Sequence, residues 1–228
     1  MTYLFDPHPV VSVPVVGTAA RFPVRRVFCV GRNYRDHALE MGHDPDREPP
    51  FFFTKDATTL VTDGGAFPLP RATGEVHHEV ELVVALKAGG ADVRPEEALS
   101  LVCGYAVGID FTRRALQAEA KKGGRPWDTA KSFDGSGPVS AIVPVEAVGH
   151  PAAGAIWLDV AGARRQTGDL SQMIWSVPEL IAHLSGLFRL EPGDLIFTGT
   201  PAGVGPVAVG ETVTCGVEGV GALTVAVV

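Results

Sequence analysis

Apolar residues along this chain gather in short, Val-rich runs broken by glycine and proline, a pattern of many strands and few helices. Strands are predicted at Val27–Val30, Phe51–Thr54, Val80–Leu86, Leu101–Ile109, Ile156–Val160, Leu195–Thr198, Thr212–Val217 and Leu223–Val228, where β-branched and aromatic residues lie between turn signals. Helical periodicity is scarcer. One helix is predicted from Thr112 to Lys122, opened by Asp110 or Thr112 as N-cap and stopped by Gly123-Gly124. A second spans Val177 to Leu187, with Pro178 in its first turn, and a short one covers Tyr34 to Met41, ended by Gly42. The polar, Pro-rich stretch 42–50 reads as an exposed loop with the makings of a lid. The elements together predict a β-rich α+β fold with curved or barrel-like mixed sheets.

Composition narrows the class. A length of 228 residues without a linker-like segment predicts one domain over 1–228, entered through a short segment 1–24. Hydrophobic residues make up 46% and charged ones only 20%, which suits a packed core rather than disorder. The apolar runs fall well short of the roughly 18 residues of a membrane span, and the N-terminus has no signal-peptide pattern, so a cytoplasmic, soluble protein is expected. A net charge of −7 disfavours nucleic acid and anionic membranes as partners. Any anionic substrate must therefore meet local positive charge. Cys29, Cys103 and Cys215 have neither disulfide nor zinc spacing and read as buried thiols.

Candidate chemistry begins at Glu79-Val80-Glu81. In a strand the period of two puts both carboxylates on one face with Val83 and Ala85, while Val80, Leu82, Val84 and Leu86 take the other. An E-x-E pair on a solvated strand would be ordinary; flanked by apolar residues on both faces it demands protons or a cation. Asp110, at the end of the next apolar run, offers a third oxygen ligand or a helix N-cap. An all-carboxylate set favours a hard ion such as Mg²⁺ or Mn²⁺. Arg114 and Gln117 follow four and seven residues later, on one side of the predicted helix. Arg113, Lys121 and Lys122 read as solvated charges. Lys131 is either an ordinary exposed lysine or, in its small, apolar context, part of a site. His37 and Glu40, three apart, are an incidental surface pair or a dyad in which the carboxylate orients the imidazole. The run from Gly193 to Gly205 is a strand entering a Gly-rich loop, either a plain turn or a place where backbone N–H groups and Thr200 receive a carboxylate. His77 and His78 precede the carboxylate strand as possible supports for it.

Taken in order, these segments resemble the fumarylacetoacetate hydrolase family. The matching elements are Gly31-Arg32-Asn33-Tyr34 with His37 and Glu40; Glu79-Val80-Glu81-Leu82; Gly104-Tyr105 through Asp110-Phe111-Thr112 with Arg114 and Gln117; Trp127 with Ala130-Lys131-Ser132-Phe133; and Gly193-Asp194 through Gly199-Thr200-Pro201. The resemblance implies a β-roll catalytic domain, a homodimer, and Mg²⁺ or Mn²⁺ on Glu79, Glu81 and Asp110. The compact chain resembles the acylpyruvate hydrolase and oxaloacetate decarboxylase branch, and its segment 40–53 is similar to bacterial fumarylpyruvate hydrolases of gentisate breakdown. Lys55-Asp56 departs from the Lys-Pro more usual in relatives.

The resemblance thus implies a hydrolase that cleaves the C–C bond of an acylpyruvate, with fumarylpyruvate going to fumarate and pyruvate. His37, Glu40 and Lys131 would be catalytic, and Arg32, Arg114, Gln117 and Thr200 would bind the small 2-oxo acid. Arg32, Arg35 and Arg47 are candidates for a second carboxylate on the substrate. The alternatives are oxaloacetate decarboxylation and metal-dependent binding of oxo acids without turnover.

Overall fold

The computed structural model describes residues 2–40, 48–62, 64–71 and 73–228. Ten strands build the two larger sheets: β1 (Arg26–Gly31), β2 (Phe51–Lys55), β3 (Val80–Leu86), β4 (Val102–Ile109), β5 (Val143–Pro144), β6 (Ala155–Val160), β7 (Ala163–Asp169), β8 (Asp194–Phe197), β9 (Thr212–Val217) and β10 (Gly221–Ala226). The six-stranded sheet has the order β5-β4-β3-β8-β1-β2, and the four-stranded sheet β7-β6-β9-β10. Only β8 and β1 pair in parallel within them. The start of that parallel pair is clamped by Arg26, whose Nε and Nη2 donate to the buried Asp194 carboxylate at 2.9 and 2.6 Å.

Strand β3 lies inside the larger sheet and is buried at every residue. Its two faces serve different cores, as the period of two predicts. Val80, Leu82, Val84 and Leu86 pack with Ile156, Leu158 and Val213 of the four-stranded sheet. Val83 and Ala85 face Val13, Phe22, Val27 and Phe197 in a second cluster. Apolar contact on both sides explains the Val-rich run of this strand.

The predicted strands and the helix Val177–Leu187 are present, with ends shifted by a residue or two in most cases. That helix opens on a capping box, Ser176 and Glu179, local chemistry readable in four residues. Three expectations change. The sheets stay open rather than forming a barrel. The helix predicted from Thr112 starts at Arg114, because Thr112–Arg113 pairs with Val76–His77 as a short strand; Asp110 is therefore no N-cap. Strand β7 was not foreseen: its sequence ARRQTGD is polar, as suits a sheet edge, and Gln166 is its one fully buried residue. The short helix runs Arg35–Glu40, and the expected stop at Gly42 and loop residues 42–47 lie outside the described residues. Asp56 caps the turn Ala57–Thr59 by accepting from Thr58 N at 2.8 Å.

Candidate metal centre and active site

The register of β3 on β4 assembles the acidic cluster. Glu81 stands opposite Gly108, and one residue past β4 the Asp110 N–H donates to Glu79 O at 2.8 Å. One oxygen from each of Glu79, Glu81 and Asp110 thereby falls within 4.8 Å of the others, all three side chains being buried. Cationic side chains answer two of the three. Lys131 Nζ donates to Glu79 Oε2 at 2.7 Å, Asp110 Oδ2 at 2.6 Å and Thr112 Oγ1 at 2.6 Å. Arg114 donates to Glu79 Oε1 at 2.7 Å and to Gln117 Oε1 at 2.7 Å. Lys55 Nζ, also buried, lies 2.8 Å from Asp110 Oδ1.

Glu81 differs. It accepts the Gly199 N–H at 2.6 Å but has no ion pair among the described residues. Burial, then the charges of Asp110 and Glu79, push its carboxyl well above the ordinary range. Burial acts the same way on Glu79, but there Lys131 and Arg114 outweigh it and hold the group well below that range. A cluster with oxygen donors alone, and one carboxylate still lacking a positive partner, fits a hard divalent cation.

Above this floor, His37 is buried and bonds Glu40 Oε2 through Nδ1 at 3.2 Å. Glu40 in turn accepts the Gly203 N–H at 3.2 Å, and the His37 bond is the main cause of its lowered pKa. Asn33 places the short helix: its Nδ2 donates to Trp175 O at 2.9 Å and Thr198 O at 2.8 Å, and its Oδ1 accepts from Trp175 N at 2.8 Å. Gly199 makes that approach possible. It has φ of +97°, and a Cβ there would sit 2.7 Å from the Asn33 Cβ. Arg32 lies over the Phe51 ring at 4.9 Å, and Lys121 over Trp127 at 5.2 Å.

A family model described as "Fumarylacetoacetate (FAA) hydrolase C-terminal" matches residues 26–228. This chain belongs to the fumarylacetoacetate hydrolase family. As a member it is a metal-dependent enzyme, and its relatives carry more than one activity in their names. A solved structure of fumarylpyruvate hydrolase from Pseudomonas aeruginosa, in complex with Mn²⁺ and pyruvate, is 49% identical, with a TM-score of 0.96 over 100% of this chain and 99% of that one. The mitochondrial oxaloacetate tautomerase FAHD1 of Mus musculus is 44% identical over 196 residues, 86% of this chain and 88% of that protein. The mitochondrial oxaloacetate decarboxylase of Dictyostelium discoideum is 38% identical over 195 residues, 86% and 89% of the two chains.

In this family member the site residues expected from sequence converge on one pocket. Glu79, Glu81, Arg114, Gln117, Lys131 and Thr200 line its depth, with Arg32 and His37 among its other walls. Glu40 and Asp110 stand behind them, bonded to His37 and Lys131. Arg35 lines a separate cavity with Tyr34 and Gln172, and Arg47 lies outside the described residues. Three participants were missed. Lys121 is half-buried and lines the pocket instead of being a solvated helix charge. Lys55, the last residue of β2, is a buried partner of Asp110; the sequence signal was its place in the Lys-Pro pattern of the family, which left its role open. Gln166 bonds His78 Nδ1 at 3.0 Å and Val80 N at 3.1 Å, and nothing in its polar sequence context signals that. Burial holds the pKa of His78 down, so its ring is a neutral support of the carboxylate strand.

Proposed function

We propose that this enzyme hydrolyses the C–C bond of an acylpyruvate, with fumarylpyruvate as the favoured substrate, giving fumarate and pyruvate in the breakdown of aromatic compounds. The observation that carries the reading is the His37–Glu40 pair: a buried imidazole on the wall of the pocket that holds the acidic cluster, oriented by a carboxylate at 3.2 Å. Glu79, Glu81 and Asp110 would hold Mg²⁺ or Mn²⁺. The bound cation would act as a Lewis acid and template for the 2-oxo acid.

The remaining work falls to side chains. His37, kept in register by Glu40, takes a proton from water, and the hydroxide adds to the distal carbonyl carbon. The bond from that carbon to the methylene breaks, its electron pair passes into the pyruvate enolate, and the proton held by His37 is returned to carbon. Lys131 supplies positive charge beside the developing enolate while fixing two of the carboxylates. Gln117, Arg114 and Thr200 hold the carboxylate and oxo oxygens. Arg32 and Lys121, stacked on Phe51 and Trp127 at the same pocket, suit a flat acyl group that ends in a second carboxylate.

The names of the mouse and Dictyostelium relatives favour a second reading, oxaloacetate tautomerisation or decarboxylation at the same enolate-stabilising centre. Turnover of fumarylpyruvate, acetylpyruvate and oxaloacetate with Mg²⁺ or Mn²⁺, and with chelator, separates the readings. We expect fumarylpyruvate to lead and chelator to abolish turnover. Oxaloacetate ahead of both acylpyruvates would reverse the assignment, and activity indifferent to chelator would remove the metal from it. Binding of all three acids without turnover would leave an oxo-acid binding protein. The same reading takes residues 1–228 as one catalytic domain working as a cytoplasmic homodimer, which sedimentation velocity would reveal as a species of twice the chain mass.

A further inference from the structure

Gln166 is wholly buried in a strand that is otherwise mostly exposed, and it spends all of its hydrogen-bonding capacity on the strand segment His78–Val80 and on the loop at Thr200–Pro201. Its Oε1 accepts from Val80 N at 3.1 Å and from His78 Nδ1 at 3.0 Å; its Nε2 donates to Pro201 O at 2.8 Å and to Thr200 Oγ1 at 2.8 Å. The orientation of the amide follows from its backbone partners. An N–H can only donate and a carbonyl can only accept, so the oxygen must face Val80 and the nitrogen Pro201. Thr200 Oγ1 therefore receives a proton from Gln166 and cannot donate its own in that direction. The hydroxyl has no other bond among the described residues. Thr200 lines the pocket and Gln166 does not.

We propose that Gln166 is a positioning residue that makes Thr200 an obligate hydrogen-bond donor to an anionic oxygen of the 2-oxo acid. This rests on the reading of Thr200 as a substrate-binding residue given above. A threonine free to rotate would offer either a proton or a lone pair. With one lone pair engaged by an amide that can only donate, the hydroxyl proton turns to the pocket, and carboxylate or enolate oxygen is favoured over a ligand donor. Gln166 also ties Val80, which lies between two of the three acidic residues, to the Thr200–Pro201 loop, so the cluster and the donor keep their spacing.

The test is pyruvate binding to the Mn²⁺-loaded protein by calorimetry, in a double-mutant cycle. Thr200→Val should weaken pyruvate about 10- to 100-fold, the size of a hydrogen bond to a charged group, and Thr200→Ser should keep it. Gln166→Met, which keeps the volume, should cause a similar loss. Gln166→Glu, of the same shape, should do likewise by accepting the Thr200 proton away from the pocket, with Mn²⁺ affinity retained. Combining Gln166→Met with Thr200→Val should weaken binding no further than Thr200→Val alone. Multiplying losses, unaltered binding in either Gln166 variant, unaltered binding in Thr200→Val, or parallel loss of Mn²⁺ each overturns the proposal while the unsubstituted protein still binds pyruvate. Failure of the unsubstituted protein to bind it overturns the proposal together with the functional reading beneath.

Discussion

The floor and the wall of the pocket are built in different ways. On the floor, Glu81 lies on β3 while Glu79 and Asp110 adjoin the ends of the paired strands β3 and β4, and Lys131, Lys55 and Arg114 meet these acids at 2.6–2.8 Å with little or no exposure. On the wall, His37 and Glu40 sit on a six-residue helix, joined to each other and to Gly203 by contacts of 3.2 Å, with the Glu40 side chain 35% exposed. Strand register fixes the floor, since a slip of one residue would turn both glutamates to the opposite face. The wall's own pair is held by longer bonds, and the chain leading into its helix is fixed by Asn33 at 2.8–2.9 Å. In the hydrolysis proposed above, the carboxylates of the floor would hold the ion and the imidazole of the wall would take the proton from water.

The largest effects should separate the two regions. Glu81→Ala or Asp110→Ala should abolish Mn²⁺ binding and lower kcat by about a thousandfold or more, whereas His37→Ala should cost about 10² to 10⁴ in kcat for fumarylpyruvate and leave Mn²⁺ affinity unchanged. Calorimetry with Mn²⁺ alongside steady-state kinetics checks both. Loss of Mn²⁺ from the His37 variant would join floor and wall into one unit. That variant should also spare much of any oxaloacetate decarboxylation, which needs no attacking water.

Lys55→Met probes the floor from beneath. Removing one partner of a buried pair should cost roughly 3–5 kcal/mol in the metal-free protein, with part of the loss recovered in saturating Mn²⁺ because the ion binds the folded state. Urea midpoints with and without Mn²⁺ measure this. Arg32→Ala and Lys121→Ala probe the other walls: each should lower kcat/KM for fumarylpyruvate about tenfold or more while leaving acetylpyruvate nearly unaffected. Equal losses on both substrates would take these two side chains out of acyl recognition.

The smallest effect concerns pH. The pKa of Glu40 is held below 4.5, first of all by the His37 hydrogen bond. A carboxylate with a depressed folded-state pKa contributes its stability above the unfolded value and loses it as pH falls through the folded one. The difference in urea midpoint between the unsubstituted protein and Glu40→Gln should therefore stay constant from pH 7 down to about 4.5 and shrink below it. For a pair this exposed the difference should be under about 1 kcal/mol. A difference that fades between pH 7 and 5 would remove Glu40 as its source.

Much of this was open to a reader of the sequence. The alternation at Glu79–Leu86 predicted a strand with both glutamates on one face, and a helix at about Val177 to Leu187 was expected where it is found. Both rest on neighbours in the chain. The reading failed where a residue's role depends on what crosses over it. Lys121 looked like a helix-end charge until Trp127 lay beneath it, and Asp110 looked like a cap until Thr112–Arg113 paired as a strand. Family resemblance, more than spacing, brought Lys131 and Thr200 into the site.

By itself the sequence determined the local quantities: periodicity, caps, the excess of strands, and a pair of carboxylates aimed in one direction. Those depend on interactions over a few residues, which a linear text carries in full. Only the tertiary structure decided that this direction is buried, that Lys131 and Lys55 neutralise two acids and leave Glu81 without a cation among the described residues, and that a glutamine on a polar edge strand orients Thr200. Burial and charge pairing depend on which segments the sheet register brings together, and residues as far apart as Lys55 and Asp110 meet only once the sheets have formed.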